Sequence, residues 1–399
     1  MRNTKEENEL TILALLNNAL EDFILKGQSS WYPSYVNVDN IFKNVFVLYR
    51  YNNSRRAKAF GMNLIRVRKL PIITPLLMLF RTIKCIKQIR PSVVRAYNTQ
   101  LEGFVAVIGQ LLTKTPAIVS LHGDYDECVL QRGYPAHIRL AVHVIERFVV
   151  RHARGVWCVT PYVADRAVSL GASRDRVKVI FNKVKIDKFK QAPHFRNQTR
   201  QKLGLIDEFT IIHTGRFNIQ KNITTIIRAV ALLKRKGKKV KLLLCGDDQP
   251  NAIDPPLRPI LQAECKRLGI EEDVIFTGFI KNEELPAYYG AADAFVFAIT
   301  GIGFGIVLVE AQAAGLPVVA SDILYTKDRV VVDPNNSLLF NPTSYKELAK
   351  NLEKLISNPK LRKHLSEASR ASAERYGWEK IAKLEARHYM EIIRGLKST

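Results

Sequence analysis

The sequence predicts an α/β protein of two doubly wound, parallel-sheet domains, and three observations predict it. Short apolar runs alternate with helical patterns along the chain, the pattern of parallel strands joined by crossover helices. At 399 residues the chain is too long for one ordinary core and suits two. A polar stretch, KIDKFKQAPHFRNQTRQ, divides the alternation into two series and reads as a linker, with the join at about residue 190.

In the first series the strands are expected at residues 10–16, 44–48, 64–67, 92–96, 117–121, 155–159 and 177–181. In the second they fall at 210–214, 240–245, 274–277, 294–298, 317–321 and 337–340, with helices at 224–235, 259–268, 283–291 and 306–314. Ligands of open parallel sheets bind beyond the carboxyl ends of the strands, so residues just after strands are the first candidates for chemistry. Two such domains facing each other would enclose a cleft.

Composition narrows the class. With 47% apolar and 25% charged residues the chain can bury proper cores. The longest near-continuous apolar run, Leu70 to Phe80, contains Pro71 and Pro75 and falls well short of the roughly 20 residues a spanning helix needs. Three glutamates in MRNTKEENEL stand where a signal peptide would be apolar, so a cytoplasmic protein is expected. Five scattered cysteines, Cys85, Cys128, Cys158, Cys245 and Cys265, form no CxxC pair and argue against a disulfide framework or a structural zinc.

The net charge of +24 is one-sided. Residues 1–200 hold 32 Lys/Arg against 14 Asp/Glu, whereas residues 201–399 hold 29 against 23. Such an excess suits anionic lipid, nucleic acid or a phosphorylated substrate. In LLMLFRTIKCIKQIR, the residues Leu79, Ile83, Ile86 and Ile89 recur at helical spacing, with Arg81, Lys84, Lys87 and Arg90 between them. Arg139, His143, Arg147 and Arg151 form a second stripe. An anionic membrane surface is the favoured partner of the 76–90 segment, with the Arg139–Arg151 stripe as a helper. No zinc-finger spacing or aromatic–basic interleaving appears, so nucleic acid is the runner-up.

Two stretches carry most of the chemistry. In HTGRFNIQKNITTIIRAV a strand ends at Gly215, Arg216 and Lys221 follow, and a helix begins near Asn222, which makes a diphosphate site from two cations and a helix N-terminus. In ADAFVFAITGIGFGIVLVEAQAAGLPVVASD a strand runs into Gly301, Gly303 and Gly305 and then a helix carrying Glu310, a candidate acceptor for ribose hydroxyls.

In this order and spacing the two stretches resemble the retaining, nucleotide-sugar-dependent glycosyltransferases of family 4, glycosyl transferases group 1. The resemblance extends to VSLHGDYDE, VWCVTPYV, VIFNKVKIDKF, LLLCGD, VIFTGFI and the closing GWEKIAKLEARHYMEI. It implies a GT-B fold of two facing Rossmann-like domains: residues 1–190 on the acceptor side, 191–380 for the nucleotide sugar, and a C-terminal helix at 381–399 packing back on the first. It also implies transfer of a hexosyl unit, with retention and without a metal, from a UDP-, GDP- or ADP-sugar to a glycan or lipid-linked acceptor at the cytoplasmic face of a membrane. Arg216 and Lys221 would then hold the diphosphate, Glu310 the ribose, and Gly303–Phe304–Gly305 the sugar and phosphates. Backbone near Phe279 and Ile280 would meet the base, and His122 would face the transferred sugar.

The chain departs from the family pattern at two places. The loop glutamate usual eight residues before the ribose-binding one is Ile302 here, which motivates an alternative reading as a catalytically silent partner or scaffold in glycan assembly. The Gly-Gly loop usual after the first strand is replaced by LNNALEDF. Other GT-B enzymes, epimerases or phosphorylases, are a more remote reading. Asp124-Tyr125-Asp126 spells the metal-binding signature of the other large glycosyltransferase fold, but two cations at the diphosphate make a metal redundant, and none is expected.

Overall fold

The computed structural model describes residues 10–16, 32–51, 58–59, 61–70, 73–131, 133–248, 256–301, 303–323 and 330–395. The chain forms two compact units, one running to Phe181 and resuming at Glu379, the other Asn182–Trp378.

In the first unit the strands are β1 (Thr11–Leu16), β2 (Asn44–Tyr51), β3 (Lys58–Ala59), β4 (Met62–Arg68), β5 (Val93–Ala96), β6 (Ala117–Leu121), β7 (Gly155–Cys158) and β8 (Val177–Val179). They order as β3-β4-β2-β1-β5-β6-β7-β8, parallel except for the short β3. The central strand β1 is buried along its whole length, as its unbroken TILALL requires of a strand covered on both faces. Helices Thr74–Ile89, Leu101–Thr113, Ala136–His152 and Pro161–Ser169 supply crossovers. Helix Trp378–Ile393 packs Tyr389 edge-on to Phe42 and Trp157, with ring centroids at 5.1 and 4.8 Å.

The second unit has β9 (Phe209–Thr214), β10 (Val240–Cys245), β11 (Val274–Gly278), β12 (Ala294–Phe297), β13 (Val318–Ser321) and β14 (Ser337–Phe340), all parallel in the order β11-β10-β9-β12-β13-β14. The strand order reverses between β9 and β12, and an open sheet has its binding crevice at such a reversal. A core of Ile211, Leu242, Leu244, Val296 and Val319 is covered by Ile226, Val230, Leu348 and Leu352 from helices Ile223–Arg235 and Tyr345–Ser357.

The stretch read as a linker folds instead. It forms helices Ile186–Lys190 and Arg196–Lys202 around a short 3-10 turn, Ala192–Phe195. Most of its polar residues are exposed, but two arginines tie it to the rest of the unit. Arg196 donates to the carbonyls of Gly290 (3.1 Å) and Ala292 (2.8 Å) and pairs with Asp293 at 2.7 Å. Arg200, nearly buried, donates to Ala291 O, Ile206 O and Glu208 O, each at 3.0 Å. The two arginines thus satisfy orphan carbonyls at the end of helix Leu285–Ala291. Close approach is possible because position 290 is glycine: a Cβ there would lie 2.0 Å from Ala192 O.

Gly290→Ala therefore forces the 192–196 turn off the helix and is expected to cost about 1–3 kcal/mol despite alanine's better helix propensity. A lower urea midpoint with an unchanged slope would show it, and an unchanged midpoint would show that the turn shifts freely.

Candidate active site

In the second unit, three strand ends meet through glycines. Gly215 follows β9 with φ +136°, Gly246 follows β10 with φ +154°, and Gly278 ends β11 with φ +72°. The amide of Gly215 donates to Cys245 O and that of Gly246 to Gly278 O, both at 3.0 Å. A Cβ on Gly246 would fall 1.9 Å from Gly215 O, so no side chain fits where these strands close together.

After Gly215 the exposed Arg216 leads into a 3-10 turn, Ile219–Lys221, capped by Asn218, whose side chain accepts from Lys221 N at 3.1 Å. Asn222, at φ 49°, then starts helix Ile223–Arg235. The Lys221 ammonium lies 4.8 Å over the Phe297 ring. Burial, with Arg216 as a neighbouring like charge, pushes Lys221 down to about 8.

The same Phe297 ring lies 3.1 Å from where a Cβ on Gly305 would stand. Thr300 N donates to Gln220 O at 2.9 Å. The structure therefore brings the Arg216–Lys221 turn and the glycine loop together. Gly305, at φ +69°, precedes helix Ile306–Ala313. Phe304 turns its ring inward, 3% exposed, edge-on to Tyr376 at 5.2 Å, so the Gly303–Phe304–Gly305 turn offers backbone rather than that ring. Phe279 is 56% exposed just past β11, beside the half-buried Ile280. Ile302 and most of LNNALEDF lie outside the described residues.

Glu310 is buried, and its Oε2 accepts from the Tyr289 hydroxyl at 3.1 Å. That hydroxyl also lies 2.7 Å from Thr214 Oγ1. Burial pushes Glu310 up to about 7, against the Tyr289 bond and the Lys188 charge. Lys188 bonds to the carbonyl and side chain of Asn282, and burial lowers its pKa. Sequence reasoning missed Tyr289, Lys188 and Phe297. Thr214, immediately before Gly215 at a strand end, was readable; Tyr289 was not, because its partner is 75 residues distant.

His122 belongs to the first unit, half-buried just after β6. Burial and Arg95 hold it down at about 4, against a hydrogen bond with the Tyr97 backbone, so it is neutral at pH 7. The loop that follows is fixed by charge. Arg166 pairs with Asp124 (2.7 Å), Asp126 (3.0 Å) and Glu146 (2.8 Å), and His143 meets Asp126 at 2.8 Å. Asp124-Tyr125-Asp126 thus faces a guanidinium. Burial raises Glu146 to about 7 despite Arg166 and a Thr99 hydroxyl at 3.1 Å.

Arg81, Lys84 and Lys87 lie exposed on helix Thr74–Ile89, and Arg90 caps it in a left-handed conformation. Met78, Thr82, Cys85 and Ile86 are its buried face; Leu79, Ile83 and Ile89 are half-buried. Ile73, Leu76 and Phe80 are exposed beside the cations. In the second stripe, Arg147 and Arg151 are exposed while Arg139 and His143 are half-buried.

Two Rossmann-like α/β units, the second with a cation-bearing turn against a glycine loop, have the architecture of GT-B proteins, and two family models identify the class as glycosyltransferase. The family model described as Glycosyl transferases group 1 matches residues 195–372, and that described as Glycosyl transferase 4-like domain matches 45–183. Together the two models account for most of the chain, which belongs to the glycosyl transferases they describe. It is 27% identical to an uncharacterized glycosyltransferase of Methanocaldococcus jannaschii over 70% of each chain. It is 28% identical to the alpha-monoglucosyldiacylglycerol synthase of Streptococcus pneumoniae over 70% of this chain, spanning 64% of that enzyme's length. Among solved structures, Anabaena HepE with UDP and glucose has a TM-score of 0.75 at 22% identity, covering 96% of this chain and all of that one. The sucrose-phosphate synthase of Thermosynechococcus elongatus reaches 0.80 at 18% identity, with 97% and 100% covered.

Arg166→Met takes the shared cation from Asp124, Asp126 and Glu146. Glu146, already raised to about 7, then stays protonated to higher pH, so the expected cost is about 1–3 kcal/mol and grows as the pH rises above 7. Denaturant unfolding should show this loss, and Glu146→Gln in the same chain should recover much of it. A single variant as stable as the parent would mean the network does not hold the loop.

Proposed function

We propose that the protein transfers a hexosyl unit from a nucleotide diphosphate sugar to a glycan or lipid-linked acceptor, with retention and without a metal. The observation that carries this reading is the Arg216–Lys221 turn set against the glycine loop and Glu310 at the carboxyl ends of β9 and β12. A uridine diphosphate donor is favoured because the structurally similar HepE is seen with UDP and with UDP-glucose.

In this reading Arg216 and Lys221 face the diphosphate. A diphosphate arriving beside Lys221 stabilises its protonated form, so the pair meets the leaving group as two cations and stabilises the charge that develops on it. The cations supply the charge a metal would bring, which supports metal independence. Glu310 accepts from the ribose, backbone at Phe279 and Ile280 meets the base, and the Gly303–Phe304–Gly305 turn lies along sugar and phosphates. The family resemblance assigns the transferred sugar to His122, neutral at the end of β6, and the acceptor to the first unit. Retention rests on the family resemblance, and no side chain is assigned as a nucleophile. With Ile302 in place of the usual carboxylate, a silent glycosyltransferase-like partner is the second reading.

The first unit also suits an anionic bilayer at the cytoplasmic face of a membrane. Exposed Ile73, Leu76 and Phe80 continue into exposed Arg81, Lys84, Lys87 and Arg90, an apolar edge with a basic flank. The relative from Streptococcus pneumoniae bears the name of a glycolipid synthase, which supports a lipid-linked acceptor. Among the described residues no helix is long and apolar enough to cross a membrane.

Two experiments test these readings. Calorimetry with UDP-, GDP- and ADP-sugars should find a donor that the parent binds and turns over. Arg216→Ala or Lys221→Ala should weaken its binding roughly 10- to 150-fold without unfolding the protein. Binding without turnover of any donor would favour the silent reading, and parent-like binding by both variants would dismiss the site.

Charge reversal of Arg81, Lys84, Lys87 and Arg90 to Glu should abolish co-sedimentation with anionic vesicles and leave nucleotide binding intact, since each basic residue near such a surface contributes about 1 kcal/mol. Equal binding of the parent to neutral and anionic vesicles would remove the electrostatic account. Tighter binding to RNA than to lipid at matched salt would put nucleic acid in its place.

A further inference from the structure

We propose that Tyr289 is a positioning residue of the donor site: its hydroxyl, bridging Thr214 and Glu310, holds one carboxylate oxygen of Glu310 inward and presents the other to the ribose. The inference rests on the reading of the second unit as the nucleotide-sugar site.

The geometry is specific. Tyr289 is fully buried on helix Leu285–Ala291. Its oxygen lies 2.7 Å from Thr214 Oγ1, 3.1 Å from Glu310 Oε2 and 3.3 Å from Val307 O. A phenol has one proton. Thr214 can donate to the phenol oxygen, leaving the phenol proton for Glu310, the nearer of its two remaining acceptors. Among the described residues, no other hydrogen bond reaches the Glu310 carboxylate, so Oε2 is engaged and Oε1 is left for a ligand. The ring cannot swing away, since Phe189 and Phe295 pack against it at centroid distances of 5.6 and 6.1 Å. Through this one hydroxyl, the strand end that launches the cation turn is tied to the carboxylate on the glycine-loop helix.

The hydroxyl also governs charge. Burial favours the protonated acid of Glu310, and two groups oppose it: Tyr289 from its helix and Lys188 from helix Ile186–Lys190. Behind the phenol stands the buried Cys245 thiol of β10, which burial keeps protonated. Without the hydroxyl, Glu310 takes up its proton at a higher pH than in the parent. A protonated carboxyl is a poor acceptor for ribose hydroxyls, so donor affinity is then lost progressively as pH falls.

Tyr289→Phe keeps the ring and removes the bond. Binding of UDP-, GDP- and ADP-glucose is measured by calorimetry between pH 6 and 8.5, where their phosphate charge is constant. Lys221 titrates alike in parent and variant, so the ratio of their affinities isolates Glu310. The variant is expected to bind about tenfold weaker at pH 6.5 and within about twofold of the parent at pH 8.5. In a Glu310→Gln background the same change should leave the ratio flat with pH. Should Tyr289→Phe not fold, 3-fluorotyrosine at position 289, nearly isosteric and a stronger donor, shifts the profile the opposite way. A loss equal at every pH would make Tyr289 a packing residue, and no loss would also overturn the inference. If the parent binds none of the three donors, the donor-site reading itself falls, an outcome distinct from a flat ratio with a donor that binds.

Discussion

Phe297 is the surface on which the second unit's candidate site is assembled. Its ring takes the Lys221 ammonium on one contact and the Gly305 backbone on another, joining two motifs far apart in the chain. The aromatic face offers the cation some compensation for lost water, yet burial still lowers the lysine's pKa. A larger residue than glycine at position 305 would meet the ring and push the loop from the turn. The reversal of strand order between β9 and β12 sets this arrangement, because only there do two adjacent strand ends open outward without a crossover covering them.

Both units bury a carboxyl group near a strand end, and they compensate it differently. Glu146 has the guanidinium of Arg166 at 2.8 Å, whose remaining reach secures Asp124 and Asp126 and so the loop after His122. Among the described residues Glu310 has no such ion pair: a phenol and the field of a lysine already engaged with Asn282 are what oppose its protonation. A carboxylate held by a salt bridge is committed to structure. One held by a single neutral donor keeps an oxygen for something else, and that contrast separates the framework of the first unit from the candidate site of the second.

The polar composition of residues 186–200 misled because a few anchors among exposed polar residues are enough to fold the stretch onto the unit. Arg196 and Arg200 are polar residues spent on buried carbonyls, and Phe189 and Ala192 bury beside them. The basic helix was legible in its charges, all four of which are exposed. Its outward Leu76 and Phe80 were not, because an apolar residue at helical spacing is normally assigned to the core, and only the packing of the opposite face on the sheet shows which stripe is left outside.

The strand–helix alternation, the two sheets of mainly parallel strands, and the cation turn and glycine loop as candidate places for chemistry could all be read along the chain. Those features rest on local physics: apolar runs flanked by turns, glycines at positions where a strand must end abruptly, and cations one turn apart. Only the tertiary structure decided that Lys221 is desolvated over Phe297, that Glu310 is bound by Tyr289, and that Asp124 and Asp126 face Arg166. Each of these couples residues from elements distant in sequence, and burial, which sets the charge state of the groups involved, is a property of the packed whole rather than of any segment.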